Sequence, residues 1–266
     1  MKKIISVFIL MIFSFAPVFA KEKIEMINDN SGIYVFKINI KKYGDKIKPY
    51  IVPDVETPKK IYNDCCFDLV VNGGFFDVDN QKSVSYVTID NKMVADVEDY
   101  EELCKQLKEE GRLDKVLSRA EFRILENKRH KLKFDITSHN TPPQKGYKIK
   151  HALQAGPELL PLMDLEKEGF VVYDDGFVKS QSVDILKRRE RTALGLKGKY
   201  LYIVIFTRDY QVDANEMRDY MKDKLKVKKA MALDGGLSTA LNYKNVSLGS
   251  MGRYQRKVKS FLVIEK

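Results

Sequence analysis

The chain has 266 residues, 44% hydrophobic and 32% charged, with a formal net charge of +10. That size and balance describe one sizeable globular domain, or a domain with an insertion, and exclude a disordered or fibrous chain. The positive excess would draw anionic polymers, but the basic residues are scattered, with no arginine-rich arm or aromatic-basic signature, so nucleic acid is not an expected partner.

Met1-Lys2-Lys3, the apolar run Ile4 to Phe15 and the small Ala20 before Lys21 describe a secretory signal peptide over residues 1–20. The run is too short to span a bilayer as a helix. Its removal takes Lys2 and Lys3 and lowers the net charge from +10 to +8. No cysteine follows the cleavage point, and no later segment is apolar enough to cross a membrane. The mature protein is therefore expected to be periplasmic or extracellular, with no stable membrane anchor. N-terminal sequencing of the exported protein should begin at or within a few residues of Lys21. Met1 retained in a membrane fraction would overturn this reading.

Residues 21–66 form an N-terminal strand region. Ile33 to Ile40 carries β-branched and aromatic residues at short period, and Ile47 to Val52 follows a Gly44-Asp45 turn. Phe67 to Val71 is an apolar strand running into Asn72-Gly73-Gly74, whose amides would face a ligand as an anion-binding nest. At least one of Phe75 and Phe76 is expected in the core. Glu98 to Ser118 reads as helix, with Tyr100, Leu103, Leu107, Leu113 and Leu117 as its buried stripe and Gly111 as a break. Strands return between Glu121 and Ile136, with Phe122, Ile124, Leu132 and Phe134 inward. Ser138 to Gly146 is a loop.

Pro157 fixes its own φ and restricts Gly156. Gln154-Ala155-Gly156-Pro157 is thus a rigid turn, either holding Gln154 against a polar ligand or serving as a corner. Asp174-Asp175-Gly176 centres a hairpin. Lys187 to Arg191 is the densest positive cluster and leads into the strand Thr192 to Leu196. Arginine presents a planar fork to phosphate oxygens, which makes Arg191, at the strand mouth, the candidate clamp. Tyr200 to Thr207 is the most strand-like run. Asp213-Ala214-Asn215-Glu216 is a capping box opening a helix, and Ala230 to Leu233 completes a crossover that delivers Asp234 at a strand's carboxyl end. Gly235-Gly236 then turn the chain, and Ser238 or Thr239 would cap a short helix. Arg256 to Val263 reads as a closing strand.

The odd set Cys65, Cys66 and Cys104 cannot fully pair within one monomer, and is expected to be unbridged or to hold one structural bridge. His130, His139 and His151 show no metal-ligand spacing; His139 and His151 read as surface histidines.

Val71-Asn72-Gly73-Gly74-Phe75-Phe76-Asp77, Gln154-Ala155-Gly156-Pro157, Arg191-Thr192-Ala193-Leu194-Gly195 and Asp234-Gly235-Gly236, in that order, resemble the phosphodiester glycosidase family. The family includes the enzyme that uncovers mannose 6-phosphate and many bacterial exported proteins. The resemblance spans roughly residues 70–263 and marks 67–266 as a phosphodiester glycosidase-like domain. The expected fold is a mixed α+β single domain with a largely β core and a few crossing helices.

The resemblance implies hydrolysis of a sugar joined through its anomeric carbon to a phosphodiester, with a carbohydrate phosphodiester as the partner. It implies catalytic roles for Asp234 and Arg191. It gives substrate binding to Asn72, Gly73, Gly74, Gln154, Gly156, Thr192, Gly235, Gly236 and Ser238. No metal ligand is assigned and no cofactor is required, with a divalent cation left open. Leu237 departs from the pattern, since many members carry a further small residue there. Asp77 and Asp209 are reserve carboxylates. Two other readings remain open: a non-catalytic module binding anionic wall or capsule polymers, and a metal-assisted phosphodiesterase.

Overall fold

In the strand Tyr200–Phe206, Ile203 and Ile205 belong to one core while Val204 and Phe206 belong to another, and all four are fully buried. A strand covered on both faces needs an unbroken apolar run rather than alternation. The computed structural model describes residues 22–28, 31–250 and 254–266, so the predicted signal peptide at 1–20 lies outside the described residues. Among the described residues, no helix is long and apolar enough to cross a membrane.

The fold is mostly β, with three principal sheets and five short α-helices among the described residues. The first sheet runs, edge to edge, Ile24–Asn28, Ile33–Asn39, Tyr200–Phe206, Arg191–Lys197, Lys229–Ala232 and Glu158–Leu160. The second runs Val246–Gly249, Ala240–Tyr243, Phe67–Asn72, Val258–Glu265 and Ile47–Glu56. The third runs Lys92–Ala95, Val87–Ile89, Tyr147–Gln154, Ala120–Asn127 and Leu132–Ser138. The hairpin Val171–Asp174 and Phe177–Gln181 stands apart, turning through the expected Asp174-Asp175-Gly176.

All these ladders are antiparallel. The early strands are woven into the sheets of the later ones. Ile33–Asn39 pairs with Tyr200–Phe206, and Ile47–Glu56 pairs with Val258–Glu265.

The main core lies where the three sheets face one another. Phe36 and Ile38, Leu69 and Val71, Phe122 and Ile124, Leu194 and Leu262 meet there. Val70, Phe261 and Val263 point the other way in the second sheet and pack with Ile61 of the helix Pro58–Asp64.

Tyr200–Phe206 and Lys229–Ala232 flank Arg191–Lys197 and are both antiparallel to it, so they run parallel to each other. The segment joining them contains the helix Ala214–Asp219, which gives the expected crossover. Asp213 caps that helix through Asn215 and Glu216, and the Glu216 side chain returns to the Asp213 amide. Met217 and Met221 pack on the sheet with Val204 and Phe206. The predicted long helix is two pieces, Glu101–Glu109 and Leu113–Leu117, separated where Gly111 takes φ +65°. A positive φ suits glycine and ends a helix.

Candidate active site

Asp234 lies two residues beyond Lys229–Ala232, where the first and second sheets approach. Its loop is pinned on both sides. Leu233 N donates to Thr192 O at 2.9 Å, Asp234 N to Gly73 O at 3.0 Å and Gly236 N to Glu190 O at 2.8 Å. The buried Asn72 side chain donates to Asp234 O at 2.7 Å. The Asp234 carboxylate accepts from Gly235 N at 2.9 Å and from the Ser238 hydroxyl. Burial outweighs these bonds and the nearby Arg256 and Arg191 cations, and pushes the carboxyl up to about 6. Desolvation disfavours the charged form, whereas donors and cations favour it.

Two cavities share Asp234, Val183 and Arg256 as lining. The larger, about 590 Å³, is also bordered by Arg189, Arg208, Gly235, Gly236 and the exposed Leu237. The smaller, about 330 Å³, is walled mainly by apolar residues, including Phe75, Phe76, Leu103 and Leu107, with Arg112 and Arg119 among them. Together they form one cleft with a carboxyl group between an arginine-edged side and an apolar side.

Of the expected site residues, Asp234, Gly235 and Gly236 line the cleft and Ser238 braces the carboxylate. Ser238 ends the 3-10 turn Gly236–Ser238, whose N-cap is Gly235, instead of capping a helix. The others are held in hydrogen bonds within the fold. Arg191 is 3% exposed, and its guanidinium donates to the carbonyls of Asp184 at 2.7 Å, Lys187 at 2.9 Å, and Val183 and Val212 at 3.4 Å. It lies beneath the Asp234 loop, where a Cβ on Gly235 would come within 3.1 Å of its Nη1. Four backbone carbonyls thus engage its fork, two of them closely.

Gly73 and Gly74 are not an open nest. Their amides donate to Ser260 O and Ser260 Oγ, and a Cβ on Gly74 would meet Gln154 O at 2.4 Å. Gln154 is 1% exposed and its amide donates to Leu117 O at 2.9 Å. Gly156 donates to Ala232 O, and Thr192 Oγ1 donates to Asn72 Oδ1 at 2.8 Å. The reserve carboxylate Asp77 is held below its usual range by the Tyr100 hydroxyl and the Asp79 amide. His151 is buried rather than on the surface, with Nδ1 accepting from Asp90 N. The three cysteines are free. Among the described residues, no group of three or more His, Cys, Asp or Glu side chains converges as a metal site.

Asn72 anchors the Asp234 loop. Besides holding Asp234 O, it accepts from Thr192 Oγ1 and from Ala240 N at 3.2 Å, and it is fully buried. Asn72→Ala leaves those partners unsatisfied, at about 1–3 kcal/mol each at most. The variant is expected to lose roughly 3 kcal/mol in urea unfolding and to lose activity with it. Unchanged unfolding with weakened ligand binding would return Asn72 to the cleft lining.

Sequence reading missed Arg256, Arg119 and Arg208. Arg256 sits 5.7 Å over the Phe76 ring and contributes to the field at Asp234. Arg119 stacks against Phe170 and Phe75. Neither lies in a motif, and in a chain with 47 basic residues no local pattern marks them out.

A half-buried carboxyl with a raised pKa, set among arginines at a strand end, is a candidate acid–base group. The chain belongs to the phosphodiester glycosidase family, whose model matches residues 67–265. A search of curated proteins gives no match. Among solved structures, the fold is similar to the catalytic domain of zebrafish N-acetylglucosamine-1-phosphodiester alpha-N-acetylglucosaminidase, auto-inhibited by its pro-peptide. That likeness has a TM-score of 0.62 at 17% identity, covering 91% of this chain and 81% of the other. A protein from Burkholderia pseudomallei K96243 described as exported matches with TM-score 0.56 at 13% identity, covering 88% and 74%. A Synechocystis protein matches with TM-score 0.56 at 12% identity, covering 91% and 61%.

Proposed function

We propose that this protein is an exported hydrolase that cleaves a sugar-1-phosphodiester at the anomeric C–O bond, with Asp234 as general base. The observation carrying the proposal is the Asp234 carboxyl, raised to about 6 at the junction of two cavities. Family membership supports the reaction class. A phosphate ester leaves as an anion whose second pKa is about 6, so it needs little help from a proton donor. Water, with a pKa of about 15.7, needs a base. Asp234 takes the proton as water oxygen bonds to the anomeric carbon and the carbon–oxygen bond to phosphate breaks, releasing sugar and phosphomonoester. A base with a pKa near the working pH combines ionisation with proton affinity. The cleft arginines supply the positive potential a diester anion needs.

The test is to incubate the purified protein with a sugar-1-phosphodiester in ¹⁸O-water and identify both products. Free sugar carrying the label, with unlabelled phosphomonoester, is the expected result. Label in the phosphate would instead show P–O cleavage, and no turnover with polymer binding would favour a non-catalytic module.

A further inference from the structure

Arg119 is only 6% exposed, yet much of its guanidinium is unused. Its Nε donates to Glu168 O at 3.0 Å, and neither terminal nitrogen meets an acceptor among the described residues. The side chain lines the smaller cavity, and its terminal nitrogens are not sealed from solvent. Stacking fixes its direction, with the guanidinium carbon 4.1 Å from the Phe170 ring centre and 5.3 Å from that of Phe75. Arginine on aromatic faces keeps its planar fork free for bidentate contacts.

The counter-charge beside it is weak. Glu168 is the nearby carboxyl, but its oxygens accept from the amides of Ala120 and Glu158, and burial pushes it up to about 7. Burial likewise pulls Arg119 down to about 10. A buried cation without a firm partner is costly, and a bound anion would relieve that cost. The apolar neighbours Phe76, Leu103 and Leu107 line the cavity, and low polarity around a cation strengthens charge-assisted hydrogen bonds. Arg256 lines the same cavity with no hydrogen bond of its own among the described residues.

We infer that Arg119, with Arg256 beside it, forms the phosphate-binding subsite of this cleft and holds the anionic oxygens of a phosphate ester next to Asp234. The subsite rests on the proposed reaction for its substrate, but its anion affinity can be measured without turnover.

Isothermal titration of the purified protein with methyl phosphate, and separately with acetate, tests it in the parent protein, Arg119→Met and Arg119→Lys. Methyl phosphate is expected to bind the parent at least tenfold more tightly than acetate does. Arg119→Met should weaken methyl phosphate binding tenfold or more, and Arg119→Lys should fall between, since lysine keeps charge and loses the fork. Equal affinity in parent and Arg119→Met overturns the inference, as does a parent that binds no methyl phosphate or prefers acetate. Should Arg119→Met fail to fold, Arg119→Lys decides by the same comparison, with at least threefold weakening expected and no change fatal. Anion binding through Arg119 without diester hydrolysis sinks the proposed function alone. Hydrolysis with unchanged kcat/KM in Arg119→Met sinks the subsite alone.

Discussion

Asp234→Asn is expected to lose turnover by roughly two to four orders of magnitude, the usual weight of general acid–base catalysis, while melting no lower than the parent at neutral pH. Asparagine keeps the size and can still accept from Gly235 N and Ser238, but it cannot take a proton. Phosphate ester binding should be retained, because the loss falls on the transition state. The stability half follows from the direction of the pKa. The folded protein keeps the Asp234 proton up to about 6, whereas the ordinary value is 3.8. Stability from this group therefore falls as pH rises between those two values, and the full deficit remains at pH 7. At about 1.4 kcal/mol per pH unit, the deficit is up to about 3 kcal/mol, and an uncharged asparagine escapes it. In the parent, kcat/KM should rise with pH through about 6 as the base ionises, and this limb should vanish from any residual activity of the variant. Full activity in Asp234→Asn would remove the carboxylate from the chemistry.

Arg191→Lys is expected to unfold at markedly lower temperature without weakening phosphate binding per folded molecule. Four backbone carbonyls converge on Arg191, two of them at 2.7 and 2.9 Å. They come from the segment 183–187 and from Val212. Lysine ends in one ammonium and cannot span that set. Carbonyls left buried without a donor cost about 1–3 kcal/mol each. With partial relaxation, a loss of about 3 kcal/mol is expected, which lowers Tm by roughly 6–12 °C for a domain of this size. Calorimetry gives the melting and titration with methyl phosphate gives the affinity. The opposite pair, unchanged Tm with lost affinity, would make Arg191 a phosphate clamp after all.

The contrast between Arg191 and Arg119 shows where local reading stops. Arg191 ends the densest basic cluster and opens a strand, so its position suggests a ligand. In the fold, the chain's own carbonyls close onto it. Arg119 sits between a short helix and a strand, with no basic cluster around it. Its openness becomes visible only when Phe75 and Phe170, far away in sequence, close against it.

The sequence by itself determined the strand-rich class, the Asp174-Asp175-Gly176 hairpin, the helix break at Gly111 and the capping box at Asp213. These depend on side-chain period, glycine conformation and hydrogen bonds spanning a few residues. It also placed Asp234 past a strand end, since an apolar run stopping at Asp-Gly-Gly is a local signal, and its four ordered motifs carried the family. Only the tertiary structure decided which polar residues remain free for a ligand. Asn72 reaches Asp234 across 162 residues and Thr192 across 120, while Gly74 is pressed against Gln154. At Gly73 and Gly74 a Cβ would meet Ser260 and Gln154, so a glycine pair there permits a close approach and completed buried hydrogen bonds. The same composition would serve a ligand, and only the partner across the sheet distinguishes the two.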